Sequence, residues 1–155
     1  MITGGIELAR LLLESYQSKS HHEAGKKRVR ETLHREIKLN AELVSEAAEV
    51  AAKEPQLSRE LLKRLQTDSF DAFSAAGLPL AEIFASRWSI VDHPDLKYKN
   101  QFRSINQASE LVERAYHRIR VQQIRSVVGQ SKNAWSLGYL RVLLGTAAQA
   151  TKSPA

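Results

Sequence analysis

The feature that most constrains the fold is an apolar stripe that recurs at helical spacing in the first third of the chain. Its members are separated by steps of three, four or seven positions: Val29, Leu33, Ile37, Val44, Ala47 and Ala51. Steps of this size place side chains on one face of an α-helix. A helix from Ser20 to Lys53 would be about 50 Å long, because each residue adds ~1.5 Å. The stripe therefore predicts a long helix that sets the length of a bundle, and Pro55 ends it.

The rest of the chain also shows helical spacing of apolar residues, interrupted by glycines and prolines that stop helices. The further predicted helices cover residues 6–18, 57–73, 79–85, 102–128 and 132–150. Residues 86–97 break the periodicity and contain Pro94, so we expect one longer loop there. Apolar-striped helices with short connections are typical of helical bundles. The predicted fold class is therefore all-α, an antiparallel bundle of four to five helices with one longer loop over about residues 86–97.

Length and composition bound the class of protein. A chain of 155 residues is long enough for one domain that buries roughly 68–70% of its unfolded surface without a stabilising metal or disulfide. Cysteine is absent, which excludes disulfide scaffolds, zinc ribbons, Fe–S clusters and thiol nucleophiles. The sequence shows no secretory signal and no apolar run near the ~20 residues of a membrane span. We therefore expect a cytoplasmic protein that does not associate with membranes.

The N-terminal segment is apolar around most of its helical circumference. In residues 1–18 only a narrow sector is polar, so the predicted helix must be buried within the chain or against a second copy. Leu12 and Leu13 are therefore candidate interface residues. Residues 20–150 form the predicted bundle, and residues 151–155 are expected to fray as a tail. The whole chain is expected to be a single globular domain.

Charge is distributed unevenly along the long predicted helix of this basic chain, whose formal charge is +6. Residues 19–38 carry seven basic and three acidic side chains, whereas residues 41–60 carry two basic and five acidic ones. This polarity opposes the helix macrodipole, so helix stability does not explain it. Helical projection groups one basic set away from the apolar stripe: Lys27, Arg30, Arg35 and Lys38, with His34 among them. This basic face predicts binding of nucleic acid or another polyanion, and the alternative is a solvated helix surface.

A second surface combines arginines with branched apolar residues on the outer side of the helix predicted over residues 102–128. The apolar members are Val121, Ile124 and Val128, and the basic members are Arg103, Arg114, Arg118 and Arg125. Arginine is enriched in the cores of protein interfaces, whereas lysine is depleted. We expect this surface to be covered by another helix of the chain, by a protein partner or by a second copy. The corresponding partner prediction is a homo-oligomer or a protein complex.

One polar residue, Asn40, interrupts the apolar stripe of the long helix. A single Asn among apolar positions is typical of a device that fixes register or oligomeric state at a cost in stability. Its candidate partner is Asn106, on the third long predicted helix.

The five histidines are the candidates for acid–base chemistry near neutral pH. Two Glu/His pairs have the spacing of metal ligands on a helix, Glu31 with His34 and Glu113 with His117. Projection points both pairs outward, whereas the ligands of bundle metal sites point into the core. We therefore predict no metal site and no cofactor.

Arginine precedes histidine with five intervening residues at two places, Arg28 with His34 and Arg87 with His93. This spacing resembles the Arg-x(4–6)-His motif of HEPN ribonucleases, which are small all-helical proteins. Here Trp88 follows Arg87, where the family motif usually has a polar residue. For the pair in the longer loop, the resemblance implies that Arg87 binds phosphate and that His93 acts as an acid or base.

Two hypotheses from different functional classes follow. The leading one is a non-enzymatic helical interaction or regulatory module that self-associates and presents its basic face to an acidic partner. That face contains no Phe, Tyr or Trp, so it offers no stacking platform for the bases of a single strand. The alternative is a HEPN-like ribonuclease that uses Arg87 and His93. Cleavage of RNA separates the two.

Overall fold

The structure, a computed structural model, describes Arg10, Glu14, residues 22–128 and residues 134–152. Over these residues the fold is all-α, as predicted, and five of the helices are substantial. The helices within residues 22–128 and 134–152 are α1 (His22–Val50), α2 (Pro55–Leu62), α3 (Asp68–Ala75), α4 (Leu80–Ile83), α5 (Lys99–Phe102), α6 (Ala108–Val128) and α7 (Ala134–Thr151). Arg10 and Glu14 are helical and exposed.

The apolar stripe of the long helix lies at the centre of the core. Five of its members are completely buried, at 0% exposure: Val29, Leu33, Ile37, Val44 and Ala47. Through this face α1 packs mainly against α2 and α7. The helix ends at Val50, and Pro55 occupies the first turn of α2, where its missing N–H costs nothing. The predicted long helix is therefore confirmed, and it ends before Pro55 as expected.

The main segments run alternately up and down. Ser58 on α2 donates a hydrogen bond to the backbone oxygen of Ala47 (2.8 Å), so α2 starts beside the end of α1 and runs back along it. α7 is antiparallel to α1, because the end of α7 contacts His34 whereas its middle contacts Glu49. α6 is connected to α7 and packs along it. The antiparallel bundle predicted from the sequence is therefore confirmed.

The single helix predicted over residues 57–73 is wrong, because α2 ends at Leu62 and α3 begins at Asp68. Asn40 stabilises the break through two hydrogen bonds to the backbone of Gln66. Its Nδ2 donates to the Gln66 oxygen (2.7 Å), and its Oδ1 accepts from the Gln66 nitrogen (2.8 Å). Both backbone groups of Gln66 are therefore bonded to Asn40 and not to other residues of a helix. Asn106 is therefore not the partner of Asn40, and that prediction is corrected.

The connection between α4 and α6 extends further than the loop predicted over residues 86–97. It includes an extended stretch in which the Trp88 nitrogen donates to the Asn106 oxygen (3.1 Å). A 3₁₀ turn at Ile90–Asp92 and the short helix α5 follow. Trp88 is 7% exposed and anchors the connection to the core. α6 consequently begins at Ala108, later than the helical spacing predicts.

The C-terminal end of α7 belongs to the core and is not a frayed tail. Thr151, which the sequence places in the tail, is the last residue of α7 and is 4% exposed. Its hydroxyl donates to the Ala147 oxygen (2.8 Å) and contacts His34 of α1. These contacts order the end of the helix. Residues 153–155 lie outside the described part of the chain.

Candidate polyanion-binding site

The predicted basic face lies along the N-terminal half of α1. Lys27, Arg35 and Lys38 are exposed, whereas Arg30 and His34 are half-buried. Among the described residues, none of the three exposed cations has a carboxylate within 4 Å. Their charges are therefore available to a ligand and are not neutralised by carboxylates of the described residues.

The structure adds to this face a cation that helical projection could not place there. Lys152 directly follows α7, whose last residue, Thr151, contacts His34. Lys38 and Lys152 both act electrostatically on the His34 ring. Positive charge from two elements therefore converges on one side chain. We call the combined set the basic cluster: Lys27, Arg30, His34, Arg35, Lys38 and Lys152.

His34 has a defined hydrogen-bonding role within the basic cluster. Its Nδ1 lies 2.9 Å from Thr151 Oγ1, and that hydroxyl already donates to the Ala147 oxygen. The hydroxyl can therefore only accept from His34, so Nδ1 carries the proton and Nε2 is the atom that titrates. Burial, together with Lys38 and Lys152, holds the pKa of His34 below its usual value. His34 is consequently neutral at neutral pH.

Arg30 is less accessible than helical projection predicts. Its Nη1 lies 3.5 Å from the Ile83 oxygen at the end of α4. The side chain lines a pocket of about 290 Å³ together with Glu82, Ser86 and Lys152. Because a carboxylate shares this pocket with the two cations, the pocket is not uniformly positive. Arg30 therefore holds α4 in place in addition to carrying part of the charge of the basic cluster.

The arginines predicted on the outer side of α6 are used in part within the chain. Arg118 lies over the ring of Tyr139, 5.2 Å from its centroid. Arg114 donates to the Gln101 oxygen and lies 3.5 Å from Ser104 Oγ. These two side chains hold α7 and the long connection against α6. They are therefore not reserved for a partner.

The apolar members of the same surface differ in exposure. Val121 is half-buried, whereas Ile124 is 59% exposed. The side chain of Val128 lies outside the described residues, as do Leu12 and Leu13. Ile124 is therefore the residue of this surface for which a covering partner remains an open prediction.

Arg87 and His93 have different surroundings in the structure. The His93 ring stacks on Trp88, with 5.1 Å between centroids and 12° between planes. Arg87 is exposed, and its backbone pairs with Gln107 in an isolated antiparallel bridge. Among the described residues no hydrogen bond links Arg87 to His93, and their joint role in a ribonuclease stays a prediction.

Sequence reasoning missed a buried carboxylate, Glu36, which is 7% exposed. It accepts hydrogen bonds from the Ser69 nitrogen (2.8 Å), the Phe70 nitrogen (3.2 Å) and the Tyr116 hydroxyl (2.7 Å). The two nitrogens belong to the first turn of α3, whose backbone donors have no partner within the helix. Glu36 lies three positions after Leu33, on the apolar stripe, and this spacing was the signal that could have revealed its burial.

Tyr116 completes this buried arrangement. Burial is the main cause that raises the pKa of its hydroxyl, and the charges of Glu36 and Asp71 and the hydrogen bond to Glu36 add to the effect. The hydroxyl therefore stays protonated and donates to Glu36. The Phe70 ring stacks on Tyr116, with 4.1 Å between centroids. Glu36 and Tyr116 together join α1, α3 and α6, and we assign this pair a structural role.

Comparison of the chain with protein-family models, with curated proteins and with solved structures finds no match. Within the described residues, no group of three or more His, Asp or Glu side chains is arranged to hold a metal ion. In the same part of the chain, no helix has the length and apolar character needed to cross a membrane. The basic cluster is therefore the site from which a function is proposed.

Proposed function

We propose that this protein is a non-enzymatic helical interaction module that binds a polyanionic partner through the basic cluster, with nucleic acid as the preferred class. The observation that supports this is the contact between Thr151 and His34, which brings Lys152 beside the cations of α1. Like charges brought together by folding repel one another and oppose the compact state. A phosphate backbone neutralises them and releases condensed counterions, which favours binding. The clustered charges therefore destabilise the free protein but favour the complex with a polyanion.

We further infer that the module self-associates through the outer surface of α6. Ile124 is 59% exposed beside the half-buried Val121. Burial of a side chain as large as Ile contributes about 1.5–3 kcal/mol. A second copy of the chain supplies an identical apolar surface, as a two-fold interface requires.

Removal of charge tests the binding proposal. Lys27, Arg35 and Lys38 changed together to Gln should weaken binding of a fluorescent RNA or DNA oligonucleotide. The slope of log affinity against log salt should flatten by about 0.7 per lost phosphate contact on a single strand, or about 0.9 on duplex DNA. The three side chains are exposed, so the fold should be retained at a cost of about 0.5 kcal/mol or less each. Arg30 is left unchanged because it contacts Ile83.

A matched control removes the same charge elsewhere. Lys53, Arg59 and Arg64 are exposed and lie in or next to α2, and all three are changed to Gln. The salt slope should then change less than in the first triple variant, since these three cations lie outside the basic cluster and exposed charges are screened by salt. Equal losses in the two triple variants would show that net charge, and not the basic cluster, determines binding. A wild-type protein that binds no polyanion at low salt would contradict the proposal.

The same mixtures test the ribonuclease alternative. Because His93 stacks on Trp88 and no hydrogen bond links it to Arg87 within the described residues, we expect RNA to be recovered at full length after prolonged incubation. RNA integrity is read on a denaturing gel. Cleavage that His93→Ala abolishes would contradict a non-enzymatic module and favour the ribonuclease.

A further inference from the structure

A pocket of about 400 Å³ lies between one face of α7 and the connection that precedes α5. The α7 wall consists of Val142, Gly145, Thr146 and Gln149, whose spacing of three, four and seven positions defines one face of a helix. The facing wall consists of His93, Asp95, Leu96 and Lys97. The pocket therefore combines an apolar floor with polar and charged side chains at its edge, the composition typical of small-molecule sites.

Gly145 lies at an open part of the pocket wall. A Cβ at Gly145 would meet no atom within 4 Å, whereas a Cβ at Gly138 on the same helix would lie 2.6 Å from the Tyr98 hydroxyl oxygen. Close packing thus explains Gly138 but not Gly145. Glycine inside a helix costs about 1 kcal/mol relative to alanine, so helix stability does not explain Gly145 either. Neither close packing nor helix stability therefore explains why the space beside Gly145 is open.

His93 gives the pocket the flat ring that the basic face lacks. One side of its imidazole is covered by Trp88, with 12° between the two ring planes. His93 is also one of the residues that line the pocket. Rings supported in this way are typical stacking platforms for unpaired bases.

The pocket is continuous with the basic cluster along α7. Gly145, Gln149 and Lys152 follow one another at steps of four and three, so they lie on one face of the chain over about 10 Å. Lys152 acts electrostatically on His34, and Lys97 is exposed on the opposite wall. A single strand on the basic cluster therefore has cations at both ends of a path of about 10 Å to the pocket, Lys152 at one end and Lys97 at the other.

We propose that the pocket receives one base of a single-stranded nucleic acid whose phosphates lie on the basic cluster. This inference rests on the proposed function and specifies its ligand. His93 stacks on the base, the exposed Gln149 amide and Asp95 carboxylate hydrogen-bond to its edge, and Lys97 and Lys152 contact flanking phosphates. A duplex is disfavoured, because one base would first have to leave its stack at a cost of a few kcal/mol.

Gly145→Leu tests the proposal by filling the pocket. The new side chain enters open space, and leucine favours the helix over glycine, so the variant should fold and melt at or above the wild-type temperature. The readout is the affinity for a single-stranded oligonucleotide divided by the affinity for inorganic polyphosphate, which has no bases. We expect this ratio to fall about fivefold or more, the equivalent of one lost stacking contact of at least ~1 kcal/mol. As a control, Ala52→Leu adds the same side chain at an exposed position in the turn before α2 and should leave the ratio unchanged.

Each outcome distinguishes the inference from the function on which it rests. A ratio that Gly145→Leu leaves unchanged would overturn the base pocket, while polyphosphate binding would leave the proposed function standing. A wild-type protein that binds neither ligand would overturn both.

A second measurement uses Trp88 fluorescence in a Trp135→Phe background. The oligonucleotide should change the emission and polyphosphate should not, because a base in the pocket contacts the ring that Trp88 supports. Identical responses to the two ligands would also overturn the inference.

Discussion

At the scale of single residues, His34 is the side chain through which the basic cluster responds to solution conditions. Its Nδ1 is hydrogen-bonded to Thr151. The charges of Lys38 and Lys152 disfavour protonation of its Nε2. Protonation therefore adds a third positive charge to an already positive site. The folded state is therefore destabilised when His34 is protonated. This loss of stability can be measured on the isolated protein.

His34 predicts a loss of stability in mild acid. In the unfolded chain its pKa is about 6.5, and in the folded chain its pKa is lower. The unfolded state therefore binds more protons as the pH falls through this range. The contribution of His34 is fully present above about pH 6.5 and is lost as the pH falls toward the lowered pKa. Urea unfolding between about pH 7.5 and about pH 5 measures this decline.

The His34→Gln variant identifies the source of that decline. Glutamine retains a donor for Thr151 but does not titrate, so the corresponding part of the pH dependence should disappear. His117→Gln is the control, because His117 is exposed on α6. If the two variants show the same pH profile as the wild type, another group is responsible.

At the scale of elements, α3 depends on a residue from a distant helix. Thr67 precedes α3 but makes no side-chain capping hydrogen bond to it. Glu36 of α1 instead accepts from the nitrogens of Ser69 and Phe70, and its negative charge favours the positive end of the helix. The N-terminus of α3 therefore gains two hydrogen bonds when the bundle is assembled.

Glu36→Ala should destabilise the bundle by about 2–3 kcal/mol, because buried donors on α3 and Tyr116 lose their acceptor. For a chain of this size, the melting temperature should fall by roughly 2–4 °C per kcal/mol. Tyr116→Phe should lower the free energy of unfolding less in the Glu36→Ala variant than in the wild type, since Glu36 and Tyr116 share one hydrogen bond. Asp68→Asn, at an exposed position in the first turn of α3, is the control. Additive effects of the two substitutions would contradict the shared role.

At the scale of the whole molecule, the up-and-down arrangement decides which surfaces share an edge. α7 contacts α1 through Thr151 and the long connection through the pocket face. The same helix therefore joins the basic cluster to the pocket. The outer side of α6 carries the exposed Ile124 and is the surface that we propose for self-association.

Ile124→Glu should reduce self-association, because a buried charge without a partner is strongly unfavourable in an apolar interface. Light scattering over a range of protein concentrations measures the mass. Val91→Glu is the control, since Val91 is 81% exposed and lies in the long connection. A mass that neither variant changes would contradict self-association through α6. For Leu12 and Leu13, a role in an interface stays a prediction.

The all-α class, the long first helix and its buried stripe were predictable from the sequence. Apolar periodicity depends on residues three or four positions apart, and a helix brings such neighbours together wherever it lies. The exposed cations Lys27, Arg35 and Lys38 could be placed on one face by the same projection. These features are local, so the sequence by itself determined them.

Other features depend on contacts between distant parts of the chain. The break before α3 requires Asn40 to bond a residue 26 positions away, and the basic cluster gains Lys152 through a contact between residues 117 positions apart. The pocket between His93 and Gly145 likewise needs the long connection to lie on α7. Helical periodicity carries no information about such pairings, because it specifies a face and not what that face meets. Only the tertiary structure decided them.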